Sequence, residues 1–242
     1  MKHLRRLALA GVAVLVLAGC GDSFMPKAVT EQGERTANLW RVFLWVAAAI
    51  GLLVYVLIAI VVIRYRRRRH DDDSAPSQQQ SQHTLEVLWT AVPLVIVAIL
   101  FGISLPAEDD ITSVSPDPDL VVEVRGFQWQ WQFRYPESGI VVTGVPGQGP
   151  PTLVLPVGRT VRLRLISNDV IHSFWVPSFL EKRDLIPGVD NEIDVNVIEP
   201  GEWSGVCSEF CGLDHWKMNF SLRAVPAEEF DAWVRSGGEA DA

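Results

Sequence analysis

The sequence predicts a two-helix transmembrane hairpin followed by an all-β exported domain of sandwich or barrel type. Three observations carry this reading. Apolar residues are bunched in the first half of the chain, and two of the bunches are long enough to cross a bilayer. The second half breaks into short Val, Ile and Leu stretches punctuated by Pro and Gly. With 242 residues, 48% hydrophobic and 21% charged, and only 3 Cys, the chain is not a disordered segment, a disulfide scaffold or a collagen-like repeat. A formal charge of -8 speaks against a nucleic-acid binder, so no nucleic-acid partner is expected. Mean hydropathy of +0.18 is high for a soluble domain and places part of the chain in the lipid bilayer.

Residues 1–19 read as a signal peptide of lipoprotein type. A basic start, Lys2, Arg5 and Arg6, precedes the apolar run Leu7 to Ala18, which is too short to span a bilayer. Leu17-Ala18-Gly19-Cys20 resembles a bacterial lipobox, which implies cleavage before Cys20 and lipidation of its thiol. Residues 20–105 hold an N-terminal segment and two spans, 42–63 and 87–105. Neither span contains a charged residue. Arg64, Arg66, Arg67, Arg68 and Arg69 follow the first span, and short loops rich in arginine stay in the cytoplasm. The chain therefore runs outside to inside and back, as a multi-pass protein of the bacterial cytoplasmic membrane with its C-terminal domain on the outer side. The polar stretch His70 to Thr84 connects the spans.

Residues 106–242 suffice for one exported domain. They carry 22 acidic and 10 basic residues, a net of -12, against +4 for residues 1–105. Such an imbalance draws in a basic partner. Strands are expected at Leu120–Val124, Thr152–Leu155, Thr160–Ile166 and Asp194–Ile198, bounded by Pro and Gly turns. Phe127, Trp129, Trp131 and Phe133 alternate with Gln128, Gln130 and Gln132, which predicts one aromatic face of a strand, with Trp131 and Phe133 as core residues. Ala227 to Arg235 reads as a short terminal helix, with Phe230 and Trp233 three apart.

Metal-binding residue types converge in Cys207, Cys211, His215 and Met218, with a distant His172. A blue-copper site uses two His, one Cys and a weak axial Met. The second cysteine adds a thiolate, and two bridging thiolates with a histidine on each side can hold a pair of copper ions. Met218 sulfur and a loop carbonyl would be weak axial donors. A Cys207–Cys211 disulfide and a structural Cys2His2 zinc compete for the same residues. Neither uses a methionine three residues after His215.

On these residues the chain resembles subunit II of cytochrome c oxidase, and the loop resembles that family's binuclear CuA motif. The likeness also covers Glu86-Val-Leu-Trp89-Thr90-Ala-Val-Pro93, Gly126-Phe-Gln128-Trp129-Gln-Trp131, Asp169-Val-Ile-His172-Ser173 and Lys182-Arg-Asp184-Leu-Ile-Pro187-Gly188. It implies a cupredoxin-like Greek-key barrel or sandwich and copper ligands His172, Cys207, Glu209 through its carbonyl, Cys211, His215 and Met218. It further implies a Mg or Mn ion at the subunit I contact, held by the Glu209 side chain with Asp184 nearby. Trp129 would receive electrons from a c-type cytochrome, and Glu86 would lie at the mouth of a proton channel. Subunits I and III are the implied partners, with oxygen reduction and proton pumping centred in subunit I. The chain has no C-x-x-C-H, so it carries no covalent haem. Two other assignments share the architecture: a copper-free quinol-oxidase subunit, which lacks the ligands present here, and a CuA subunit serving a nitric oxide reductase. Asp169 reads as a turn residue or as part of an acidic docking face.

Overall fold

Thr30 opens the first helix: its hydroxyl accepts from the Gly33 amide at 3.0 Å, and Glu31 and Glu34 lie in the first turn, where the helix dipole favours them. In the computed structural model, which describes residues 25–66, 78–145, 147 and 149–239, this helix is α1, Glu31–Arg64. A second, α2, spans His83–Thr112. The signal segment, Cys20 and Arg67 to Arg69 lie outside the described residues. Both helices outrun the apolar stretches 42–63 and 87–105. The uncharged run counts only what lipid tolerates, whereas backbone hydrogen bonding continues through Glu31 to Arg41 and through Glu108 to Asp110. At ~1.5 Å per residue α1 is about 51 Å long and α2 about 45 Å, against a hydrocarbon core of about 30 Å. Both are long and apolar enough to cross a membrane.

Among the described residues, those up to Ala37 and from Ser113 onward form one compact unit, and those between Asn38 and Thr112 form the other. The first is a β-sandwich. One sheet orders β3 (Ile140–Thr143), β2 (Gln130–Tyr135), β1 (Leu120–Phe127), β5 (Thr160–Ser167) and β8 (Asn191–Asn196). The other orders β4 (Thr152–Pro156), β10 (Asn219–Val225), β9 (Gly201–Cys207), β6 (His172–Val176) and β7 (Glu181–Leu185). The chain crosses repeatedly between sheets, so β1 lies parallel to β5 and β10 parallel to β4. This architecture is the cupredoxin-like sandwich expected of the exported domain. Alternation along each strand sends Val122, Val124, Leu163, Leu165, Leu153, Leu155 and Phe220 into one core. Trp131, Phe174 and Phe220 meet at its centre with ring centroids 4.9 to 6.2 Å apart.

Two expectations are corrected by long-range pairing. The aromatic stretch is not one strand: β1 ends at Phe127, Gln128 and Trp129 form a turn through a cis peptide, and β2 returns antiparallel. Phe127 pairs with Gln130 and Gly126 with Trp131, so Phe127 lies on the face opposite Trp131 and Phe133. Period-two alternation survives a two-residue turn, which hid the reversal. The strand expected at Asp194–Ile198 lies upstream, because Asn191, Glu192 and Ile193 pair with β5. Val197 instead bridges to Thr30 and Val157. The terminal helix α3, Ala227–Arg235, buries Phe230 and Trp233 as expected.

Candidate metal centre

Strand pairing builds the site. β6 runs antiparallel to β9 with Phe174 opposite Cys207, which brings His172, at the start of β6, beside the end of β9. After Cys207 the chain loops through Cys211, makes a 3-10 turn at His215–Lys217 and enters β10 at Asn219. The Cys207 amide donates to the Met218 carbonyl at 3.0 Å and closes the loop at its base. The Trp131 indole donates to the same carbonyl at 3.2 Å, so a core aromatic fixes the Met218 backbone.

Six donor atoms meet where the loop faces the start of β6. Cys207 Sγ lies 3.9 Å from His172 Nδ1, 3.9 Å from Cys211 Sγ and 3.3 Å from the Glu209 carbonyl oxygen. Cys211 Sγ lies 3.5 Å from His215 Nδ1 and 3.8 Å from Met218 Sδ. Both cysteines are free and buried, and His172 and Met218 are fully buried. The ligating atoms of His172, Cys207 and Cys211 all lie within 4.8 Å of one another. Burial pushes the Cys207 thiol up, but the His172 imidazole and the backbone of Ser173 and Glu209 outweigh it and bring it down to about 7. Burial and the neighbouring Cys207 push Cys211 up to about 12. Without a metal the pocket thus favours one thiolate over two, and a cation is what two thiolates there require.

Two glycines that sequence reasoning passed over make room. A Cβ on Gly126 would meet the His172 ring and Leu185 Cδ2 at 3.1 Å. Gly212, at φ +121°, would bring a Cβ to 3.1 Å from the Gln128 amide and 3.2 Å from the Trp129 ring. Two hydrogen bonds account for that closeness: Gln128 Nε2 and Trp129 Nε1 both donate to the Cys211 carbonyl, at 2.8 and 3.1 Å. Trp129 is half-buried at the surface. Phe210, Leu213 and Trp216 are 81%, 82% and 72% exposed, so the loop carries an apolar rim.

The side chains of the other expected residues are not among the six donors. The Glu209 carboxylate accepts from Lys182 Nζ at 2.9 Å, and Asp184, on β7, adds to the field that raises the Lys182 ammonium. Glu86 lies in the first turn of α2, where its carboxylate accepts from the Gln82 amide at 3.0 Å, the helix-terminal role its position favours. Asp169 is more than a turn residue, since it accepts from His172 Nε2 at 2.9 Å. The three-residue spacing Asp169-x-x-His172 was the available signal.

Fold and site together define a membrane protein with an exported β-sandwich that holds a His–Cys–Cys cluster compatible with copper. Residues 150–225 match the family described as cytochrome c oxidase subunit II, periplasmic domain, and residues 18–107 match its transmembrane domain. A Streptomyces coelicolor protein named "Probable cytochrome c oxidase subunit 2" is 38% identical, covering 95% of this chain and 85% of its own. The periplasmic domain of subunit II (CoxB) of Bradyrhizobium japonicum is 33% identical over 51% of this chain and 96% of that one, with a TM-score of 0.46. A structure of subunit II in a mixed disulfide with the thioredoxin-like TlpA is 34% identical, covering 51% of this chain and 95% of that one, with a TM-score of 0.45. The chain belongs to the cytochrome c oxidase subunit II family.

Proposed function

We propose that this chain is the electron-accepting subunit of a respiratory cytochrome c oxidase. It takes electrons one at a time from an exported c-type cytochrome at a binuclear CuA centre and passes them to haem in subunit I, where oxygen is reduced and protons are pumped. The observation that carries this is the order of contacts: His172 touches Cys207, Cys207 touches Cys211, and Cys211 touches His215. Each imidazole stands beside a different thiol. That order favours a pair of ions, which both thiols and both imidazoles would hold, over one tetrahedral zinc, for which both imidazoles must reach one point.

The copper pair would be held by His172 and His215 through Nδ1, Cys207 and Cys211 through Sγ, Met218 through Sδ and Glu209 through its carbonyl. When bound, it supplies one-electron chemistry. The chain's own residues supply rigidity: the closed loop base and the buried Met218 and His172 exclude water and restrain ligand movement. Trp129, hydrogen-bonded to the Cys211 carbonyl, offers the route inward from the surface.

The Glu209 carboxylate, with Asp184, is assigned to a Mg or Mn ion at the subunit I contact, where Lys182 would be displaced. Subunit III completes the complex. Glu86 is assigned to the mouth of a proton channel. The chain is placed in the bacterial cytoplasmic membrane, lipidated at Cys20, crossing twice, with residues 106–242 outside. Cys207→Ser in the assembled oxidase tests the assignment. Loss of the two-copper electron paramagnetic resonance spectrum and of cytochrome c oxidation is expected; unchanged turnover would refute it.

A further inference from the structure

Asp169 makes two bonds that a turn residue does not need. Locally its Oδ1 accepts from the Val170 amide at 2.6 Å and the Ser167 hydroxyl at 3.1 Å, which is enough to shape the turn after β5. Beyond the turn, Oδ1 accepts from His172 Nε2 at 2.9 Å and Oδ2 accepts from the Gln128 amide at 2.7 Å. Gln128 is 41 residues away in sequence, in the turn that presents Trp129.

The hydrogen bonds close into a ring. Asp169 holds His172, whose Nδ1 faces Cys207; Cys207 lies against Cys211; the Cys211 carbonyl holds Gln128 and Trp129; and the Gln128 amide returns to Asp169. The indole and the buried imidazole thus share one carboxylate brace. Two acceptor oxygens are essential to it. An asparagine supplies one, and its NH2 would face either the Gln128 N–H or the His172 Nε2–H, donor against donor.

We propose that Asp169 is a positioning residue that orients His172 for metal binding and at the same time clamps the Trp129 turn onto the Cys211 carbonyl, so that the electron-accepting indole and the metal ligands move as one body. This rests on the copper assignment above. It differs from an acid that only attracts a cationic donor, because it acts after docking. A carboxylate on the far nitrogen of a ligating imidazole increases the imidazole's electron donation, which favours the oxidised metal. Removing that charge raises the reduction potential.

The test uses the complete purified oxidase carrying Asp169→Asn or Asp169→Glu. Expected for Asp169→Asn are a retained two-copper spectrum with altered hyperfine structure, a higher midpoint potential, and a first-electron rate at saturating cytochrome reduced roughly tenfold or more. Asp169→Glu, which keeps both oxygens, recovers part of the rate. An unchanged potential and saturating rate, with only KM raised and only at low salt, would overturn the proposal in favour of docking. If Asp169→Asn loads no copper, Asp169→Glu decides: a saturating first-electron rate below wild type supports the clamp, and a normal saturating rate overturns it. A wild-type oxidase without a two-copper spectrum would overturn the copper assignment itself, and is recognised before any substitution is made.

Discussion

A single missing methyl group at Gly126 opens the space for the His172 ring, since a Cβ there would stand 3.1 Å from the ring and from Leu185. The neighbours on both sides are packed, with His172 and Leu185 each 0% exposed, so neither can give way freely. Gly126→Ala is therefore expected to cost about 1–3 kcal/mol of stability. It should also tilt the imidazole, seen as a lowered denaturant midpoint and a changed copper hyperfine pattern in the same sample. Nothing in Val124-Arg125-Gly126-Phe127 announces this, because the ring it accommodates arrives from a strand 46 positions later. The six donors were legible for the opposite reason. Five of them fall within twelve consecutive residues, where identity and spacing alone restrict the chemistry.

At the scale of elements, β1 and β2 carry an ion cluster on the face away from the core. Glu123, only 8% exposed, accepts from Arg125 at 2.9 Å and from Arg134, its cross-strand partner, at 3.4 Å. Burial alone would raise its carboxyl, yet the two guanidiniums outweigh burial and hold it below the ordinary value of 4.5. A carboxyl depressed in the folded state stabilises above its unfolded value and loses that contribution as pH falls through the folded one. Glu123→Gln is expected to lower stability at pH 7 by about 1–3 kcal/mol and to flatten the acid limb below pH 4.5. Urea titrations of both chains at several pH values check it. Elements whose signal is local are legible in the sequence: α3 is written in Phe230, Trp233 and the acidic first turn. Elements defined by a distant partner are not. The β1–β2 turn hid inside an unbroken alternation, and β8 is displaced because Asn191 pairs with Leu165, which no window around Asp194 can register.

For the whole molecule the distribution of charge matters most. Residues 106–242 carry -12 while residues 1–105 carry +4, so the C-terminal part of the chain presents a strongly negative field to a basic partner. Raising ionic strength from about 10 to 150 mM shortens the screening length from ~30 to ~8 Å. With a basic cytochrome, kcat/KM should fall by roughly tenfold or more while kcat changes little, and an acidic cytochrome should show the reverse salt trend in kcat/KM. Steady-state oxidation over a salt series checks both. The β unit also begins before the helices: Val29 is buried, its amide donates to the Ser178 carbonyl, its carbonyl accepts from Ile198, and Thr30 bridges to Val197. The helical hairpin is thus an insertion within one folded body rather than a leader in front of it. Chain on both sides of the insertion must share a compartment for these contacts to form, so any bilayer crossings between Ala37 and Ser113 come in an even number. Assembly inherits an order from this parity, for the body can close only after its first and last parts have been delivered to the same side.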